Sequence, residues 1–245
     1  MGAADGDTGP PPTSQTPPTC PGLACGGVAA AWVPISGITP DQLKVLVRTF
    51  LTVYPHASAW YMINMPTDFV ILIGQDERLT LDLHDITRRM NRTLVQRDLD
   101  RIGLADTCKL AACLLLAEDD LRRYVGDGPI HTDDRPVLDY MTHASPYKNT
   151  LSLNLREMLR QRSNAAEFVS RWPDDTPPEE AIGKWNRWYA AARHLMEGFA
   201  WLMDENADRL TQMRVSYRAA VECVPEDTRT RALLEELPGN EGARE

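Results

Sequence analysis

Val28-Ala-Ala-Ala-Trp-Val-Pro34, Thr39-Pro40-Asp41, Ala57-Ser-Ala-Trp-Tyr-Met-Ile63 and Asp68-Phe-Val-Ile-Leu-Ile-Gly74 follow one another between Gly26 and Gly74, and their order decides the fold. The first is a short apolar run entered through Gly26-Gly27 and stopped by a proline, which predicts a strand buried on both faces. Thr39, Pro40 and Asp41 open a helix: a capping hydroxyl, a residue with no N–H to leave unpaired, and an acid at the positive end of the dipole. Leu43, Leu46, Val47, Phe50 and Leu51 give that helix one apolar face, and Pro55 ends it. The last two runs are strands joined by the turn Asn64-Met65-Pro66-Thr67, which makes an antiparallel hairpin. Strand, crossover helix, strand and hairpin return form the closing end of an open α/β sheet.

Beyond the hairpin the periodicity turns helical. Leu83, Ile86 and Met90 share one face, and Leu94, Leu99 and Ile102 another, with Gly103 as the C′ residue. Asp106 caps a helix expected to carry Leu110, Cys113, Leu114 and Ala117, and a short helix with Leu121 and Tyr124 ends near Gly126. His131 to Tyr140 holds the densest polar cluster. Thr132 with Asp133 or Asp134 can bond backbone amides in a turn, Arg135 can pair with a carboxylate, and Val137, Leu138 and Tyr140 return to the core. These residue types fit either a loop locked onto the sheet or an aspartate facing a cationic amine.

From Asn149 onward the pattern is helical. Leu151, Leu155, Met158 and Leu159 make one helix, and Ala165, Phe168, Val169 and Trp172 a second. Trp172 to Pro178 is a break, after which Thr176 can cap a helix with Pro177 and Pro178 in its first turn. That helix carries Ile182, Trp185, Tyr189, Ala192, Met196, Phe199 and Trp201 on a broad face, which is expected to be core. Another spans Ala207 to Val224, and Gly198 can let the two pack closely.

Gly26 to Ile35, Leu43 to His56 and Asp68 to Gly74 resemble the last third of a spermidine synthase-like aminopropyltransferase domain, of the bacterial branch fused behind a membrane domain. Thr132-Asp133-Asp134-Arg135-Pro136-Val137-Leu138-Asp139-Tyr140 looks like that branch's closing motif. The likeness covers residues 22–146. It implies the strand–helix–hairpin end of a class I methyltransferase-like doubly wound sheet, followed by an all-helical region, and an activity of aminopropyl transfer to a polyamine. It also implies what is missing. No position matches the family's nucleoside-binding glycines or its amine-activating aspartate, so no catalytic or cofactor-binding residue is assigned and the chain alone is not expected to be catalytic. Trp32 and Pro34 match the strand end that faces the family's site. Trp32, Asp133, Asp134 and Arg135 are therefore candidates for the substrate edge or for structural roles. His194 to Leu202 with Tyr217 to Asp227 resemble one tetratricopeptide-type helix pair, a unit that binds peptides when several are stacked.

The bulk numbers agree with a globular protein. A chain of 245 residues with 43% hydrophobic content can bury a sizeable core in one or two domains. A net charge of −9 argues against nucleic acid and anionic membrane as partners. No apolar run reaches the roughly 20 residues of a spanning helix, and no basic stretch with an apolar core opens the chain. Five cysteines without framework spacing suit reduced thiols in a cytoplasm, and Cys20 and Cys25 lack the second pair of a metal site, so no metal or other cofactor is expected. The expected organisation is a Pro-rich tail over residues 1–21, a partial synthase-like domain over 22–146, a helical region over 147–238 and a tail over 239–245. A truncated gene product, a split subunit and a degenerate paralogue all fit. The expected partners are a missing N-terminal half or a second copy at an open strand edge over residues 28–33, and a peptide on the C-terminal helices. The alternative function is a noncatalytic helical interaction module.

Overall fold

The computed structural model describes residues 26–141, 150–173 and 177–237. Both expected tails, Cys20, Cys25 and the capping role of Thr176 lie outside the described residues. The chain mixes a β-sheet with helices and has a helical C-terminal region.

Strand β1 (Val28–Pro34) leads through helix α1 (Pro40–Val53) into β2 (His56–Trp60) and β3 (Phe69–Gln75). Thr39 caps α1 in a capping box: its hydroxyl accepts the Gln42 N–H at 3.3 Å, and Gln42 Oε1 accepts the Thr39 N–H at 2.8 Å. Leu43 and Val47 are buried beneath it. The hairpin forms as expected, with Trp60 opposite Ile71 and Ala57 opposite Gly74. Its turn is stapled by the buried Tyr61, whose hydroxyl donates to Thr67 O at 2.9 Å and accepts the Thr67 N–H at 3.2 Å. β3 inserts between β1 and β2, antiparallel to both, so β1 and β2 run the same way with β3 between them.

Among the described residues the sheet has four strands rather than three. The helix capped by Asp106 stops at Ala111, and Leu114–Ala117, expected in a helix, is strand β5, antiparallel to β2. Tertiary pairing decides this. Tyr61 N–H takes the carbonyl of Cys113 at 2.9 Å, and the Arg162 guanidinium takes those of Ala112 at 2.7 Å and Leu114 at 3.3 Å. A four-residue apolar run looks the same in either state. The final order is β1-β3-β2-β5 with every neighbour antiparallel.

β1 is not buried on both faces. It stands at the edge of the sheet, and its residues alternate in exposure. Tyr54, just past α1, lies where a Cβ on Gly74 would fall, so α1 covers the face of Val70, Leu72 and Gly74. Trp32 pairs with Ile71, which points to the other face.

Short helices α2 (Leu83–Met90), α3 (Thr93–Arg101) and α4 (Thr107–Ala111) link the hairpin to β5, and Gly103 takes φ +70° between the last two. Asp106 caps α4 as read, through Lys109 N–H at 3.0 Å. After β5 come α5 (Glu118–Val125), α6 (Val137–Met141) and α7 (Thr150–Arg160). The region beyond is not wholly helical. Ala165–Phe168 forms a single 3₁₀ turn, started by Asn164, and Val169–Arg171 is strand β6, parallel to β4 (Leu81–Asp82). Pairing with β4 outweighs the helical spacing there.

Helices α8 (Pro178–Leu202), α9 (Arg209–Cys223) and α10 (Thr228–Glu235) close the fold. Pro178 opens α8 at a position whose N–H has no helical partner. Asp227 caps α10 through Thr230 N–H at 2.8 Å and holds the buried Lys109 ammonium with both oxygens at 2.9 Å. The aromatic face of α8 is core: Trp185 and Phe199 are buried, and Phe199 packs on Tyr61 of the sheet region at 6.3 Å between ring centroids. Sheet and helices share one apolar cluster.

Candidate functional site

β5 passes into α5 with no loop between them. The first residue of α5, Glu118, absorbs the change of direction with φ +49°, the one positive φ outside glycine among the described residues. An L-residue there costs about 1–2 kcal/mol. The side chain shows what offsets that cost. It is buried, and donors converge on it: Oε1 accepts the Leu79 N–H at 2.8 Å, and Oε2 lies 3.0 Å from His56 Nδ1. Arg122 Nη1 stands 3.8 Å away and Arg78 Nε 4.0 Å. One carboxylate thus ties β2, the loop after β3, and α5 together.

A cleft of about 420 Å³ opens beside it, lined by Arg78, Leu79, Glu118, Asp120, Arg123 and Phe168 among others. Most of its charges are paired. Asp120 bonds Arg123 Nη1 at 2.6 Å and accepts the Ser163 hydroxyl at 2.7 Å, and Ser163 Oγ accepts the Ala117 N–H at 2.9 Å. Arg78 reaches Asp119 at 3.4 Å. Glu118 holds the imidazole of His56 through Nδ1. Among the described residues no group of three His, Cys, Asp or Glu side chains is arranged to hold a metal ion.

The sequence reading missed this site because it ran a helix through Ala117. The signal was present. Leu114-Leu-Leu-Ala117 is strand-length, and Glu118-Asp119-Asp120 is the acidic first turn of a new helix.

The residues singled out by resemblance lie elsewhere and on two sides of the sheet. Trp32 is 69% exposed on the face away from α1, with its indole 5.7 Å from the Phe69 ring. Asp133, Asp134 and Arg135 are exposed in a turn on the α1 side. Thr132 and Arg135 exchange both backbone hydrogen bonds, at 3.1 and 3.0 Å, and the Thr132 hydroxyl accepts the Arg135 N–H at 3.1 Å. The expected ion pair is absent: among the described residues Arg135 bonds neither aspartate. Backbone and Thr132 carry the turn, so the charged side chains point to solvent. The anchor is His131. Its N–H donates to Thr49 Oγ1 of α1 at 2.8 Å, and its Nδ1 accepts the Leu138 N–H at 3.3 Å at the start of α6. Val137 and Leu138 are half-buried as expected, but Tyr140 is 80% exposed rather than returned to the core.

The aromatic stripe of the C-terminal helices is internal at Trp185 and Phe199. Gly198 lets α8 and α9 cross closely, with the buried Tyr217 ring where a Cβ would sit, and that ring meets Phe199 edge-on at 5.8 Å. Among the described residues no helix is long and apolar enough to cross a membrane. No protein-family model, no curated protein and no solved structure matches this chain.

Proposed function

We propose that this chain is the C-terminal part of a spermidine synthase-like aminopropyltransferase, that it belongs to the cytoplasm, and that it does not transfer an aminopropyl group by itself. One observation carries the reading: β3 is inserted antiparallel between β1 and β2, two strands that run the same way and are joined by α1. A crossover followed by a hairpin return into the gap is the topology expected for the closing end of a class I methyltransferase-like sheet. The loop that opens the Thr132–Tyr140 motif is tied to α1 through His131. Nothing in the described residues offers a glycine-rich strand-to-helix turn for a nucleoside, which supports the reading that this chain alone is not catalytic.

Calorimetry on the purified chain with decarboxylated S-adenosylmethionine tests this. The expected result is no binding tighter than about 100 µM, or roughly 5.5 kcal/mol. Tighter binding by the chain alone overturns the noncatalytic reading. The alternative, a peptide-binding helical module, has less support, because Trp185 and Phe199 of the α8 stripe are core.

A further inference from the structure

Among the described residues β1 has a neighbouring strand on one side only. Ile35, just past its end, donates its N–H to Asp68 O of the β3 side at 2.8 Å. In an antiparallel ladder the bonding direction alternates residue by residue. Val33, Ala31 and Ala29 therefore turn their N–H and C=O groups to β3, and Trp32, Ala30 and Val28 turn theirs to the open edge. Pro34 has no N–H and ends that row of donors. The edge carries no charge and no lysine, and among the described residues no bulge interrupts its pairing with β3.

The same alternation sets the face. Val28, Ala30 and Trp32 point to the side away from α1, together with Phe69, Ile71 and Ile73 of β3. Val28 is 58% and Phe69 41% exposed, so this end of the sheet presents an apolar face that continues to the open edge.

We propose that a second copy of this chain occupies the edge, β1 pairing antiparallel with the partner's β1 about a two-fold axis at Ala30. The sequence selects that occupant because it complements itself. Rotation about Ala30 brings Val28 opposite the partner's Trp32 and Trp32 opposite the partner's Val28, with the two small alanines at the centre. All three outward N–H groups then find carbonyl partners, and each indole covers the partner's valine. Pro34 falls outside the paired stretch. A two-fold contact of this kind uses up the edge, so the assembly closes at two copies. The contact belongs to the small class of interfaces, below about 1,200 Å², and dissociation in the micromolar range is expected. This inference does not rest on the kinship proposed above.

Sedimentation equilibrium of the full chain from about 1 to about 500 µM tests it. The wild type is expected to pass from monomer to dimer. Ala30→Pro removes one outward N–H, which edge strands tolerate, and leaves the β3 ladder intact. Ala30→Lys places a charge on the bare face. Each is expected to weaken the dimer at least tenfold while circular dichroism shows an unchanged fold. In the wild type, amide exchange at Val28, Ala30 and Trp32 is expected to slow with concentration, a readout that needs no variant. A monomer at every concentration, a dimer that survives both substitutions with these amides still exchanging freely, or assemblies larger than two would each overturn the proposal.

Discussion

Gly198→Ala should destabilise this protein, although alanine is the better helix former. Position 198 lies inside the 25-residue α8, where alanine replaces glycine with a gain of about 1 kcal/mol. Packing opposes it. A Cβ at this position would stand 2.5 Å from Tyr217 Cδ1 and closer still to Cε1, whereas carbon atoms pack best at about 3.5–4 Å. The ring must retreat by about 1 Å. It is rigid, buried, and set edge-on against Phe199, so α9 has to move with it. Overpacking of this kind costs about 1–3 kcal/mol, and the severity of the overlap places it at the upper end. The net expectation is a loss of about 2 kcal/mol, or roughly 4–8 °C in Tm for a chain of this size. In a Tyr217→Ala background the obstacle is gone, and the same substitution should stabilise by up to about 1 kcal/mol. Urea denaturation of the four proteins of this cycle gives the coupling directly, expected at about 3 kcal/mol. Gly198→Ala stabilising the wild type, or costing the same in both backgrounds, would refute the account of the α8–α9 crossing.

Glu118→Ala should cost about 1–3 kcal/mol, because it leaves the Leu79 N–H unpaired; Glu118→Gly, which also relieves the strained φ, should cost about 1 kcal/mol less, and equal urea midpoints for the two would refute the strain argument. The exposed Asp134 and Arg135 should each change stability by no more than about 0.5 kcal/mol on truncation to alanine, so a drop of several degrees in either variant would show that the turn depends on them. Burial pushes the Cys113 and Cys108 thiols up to about 11 and the Tyr61 phenol up to about 12. The fold therefore favours their protonated forms, the unfolded chain releases these protons first, and stability should be full below about pH 8.5 and fall as pH rises through 11 to 12. Two units at Cys113 correspond to about 3 kcal/mol, so urea midpoints measured at several alkaline pH values should fall less steeply in Cys113→Ala than in the wild type.

How much was legible in the sequence varied with the range of the interaction concerned. Thr39, Pro40 and Gln42 determined the start of α1, because capping is settled within four residues. Asn64 to Thr67 determined the hairpin, and Asp106 and Gly103 marked helix ends through their own side chain and backbone. Leu114–Ala117 and Val169–Arg171 were decided only by the partners that fold back onto them: β2 and Arg162 for the first, β4 for the second. The candidate site belongs to this second class. Glu118 gains its role from His56 and Leu79, 62 and 39 residues away, and no local pattern announces a buried carboxylate between them. The exposure of Trp32 belongs there too. Val28–Pro34 determined by itself that it would be a strand, and an open edge there was expected from the sequence; that β3 enters the sheet between β1 and β2 is a choice that tertiary pairing alone makes.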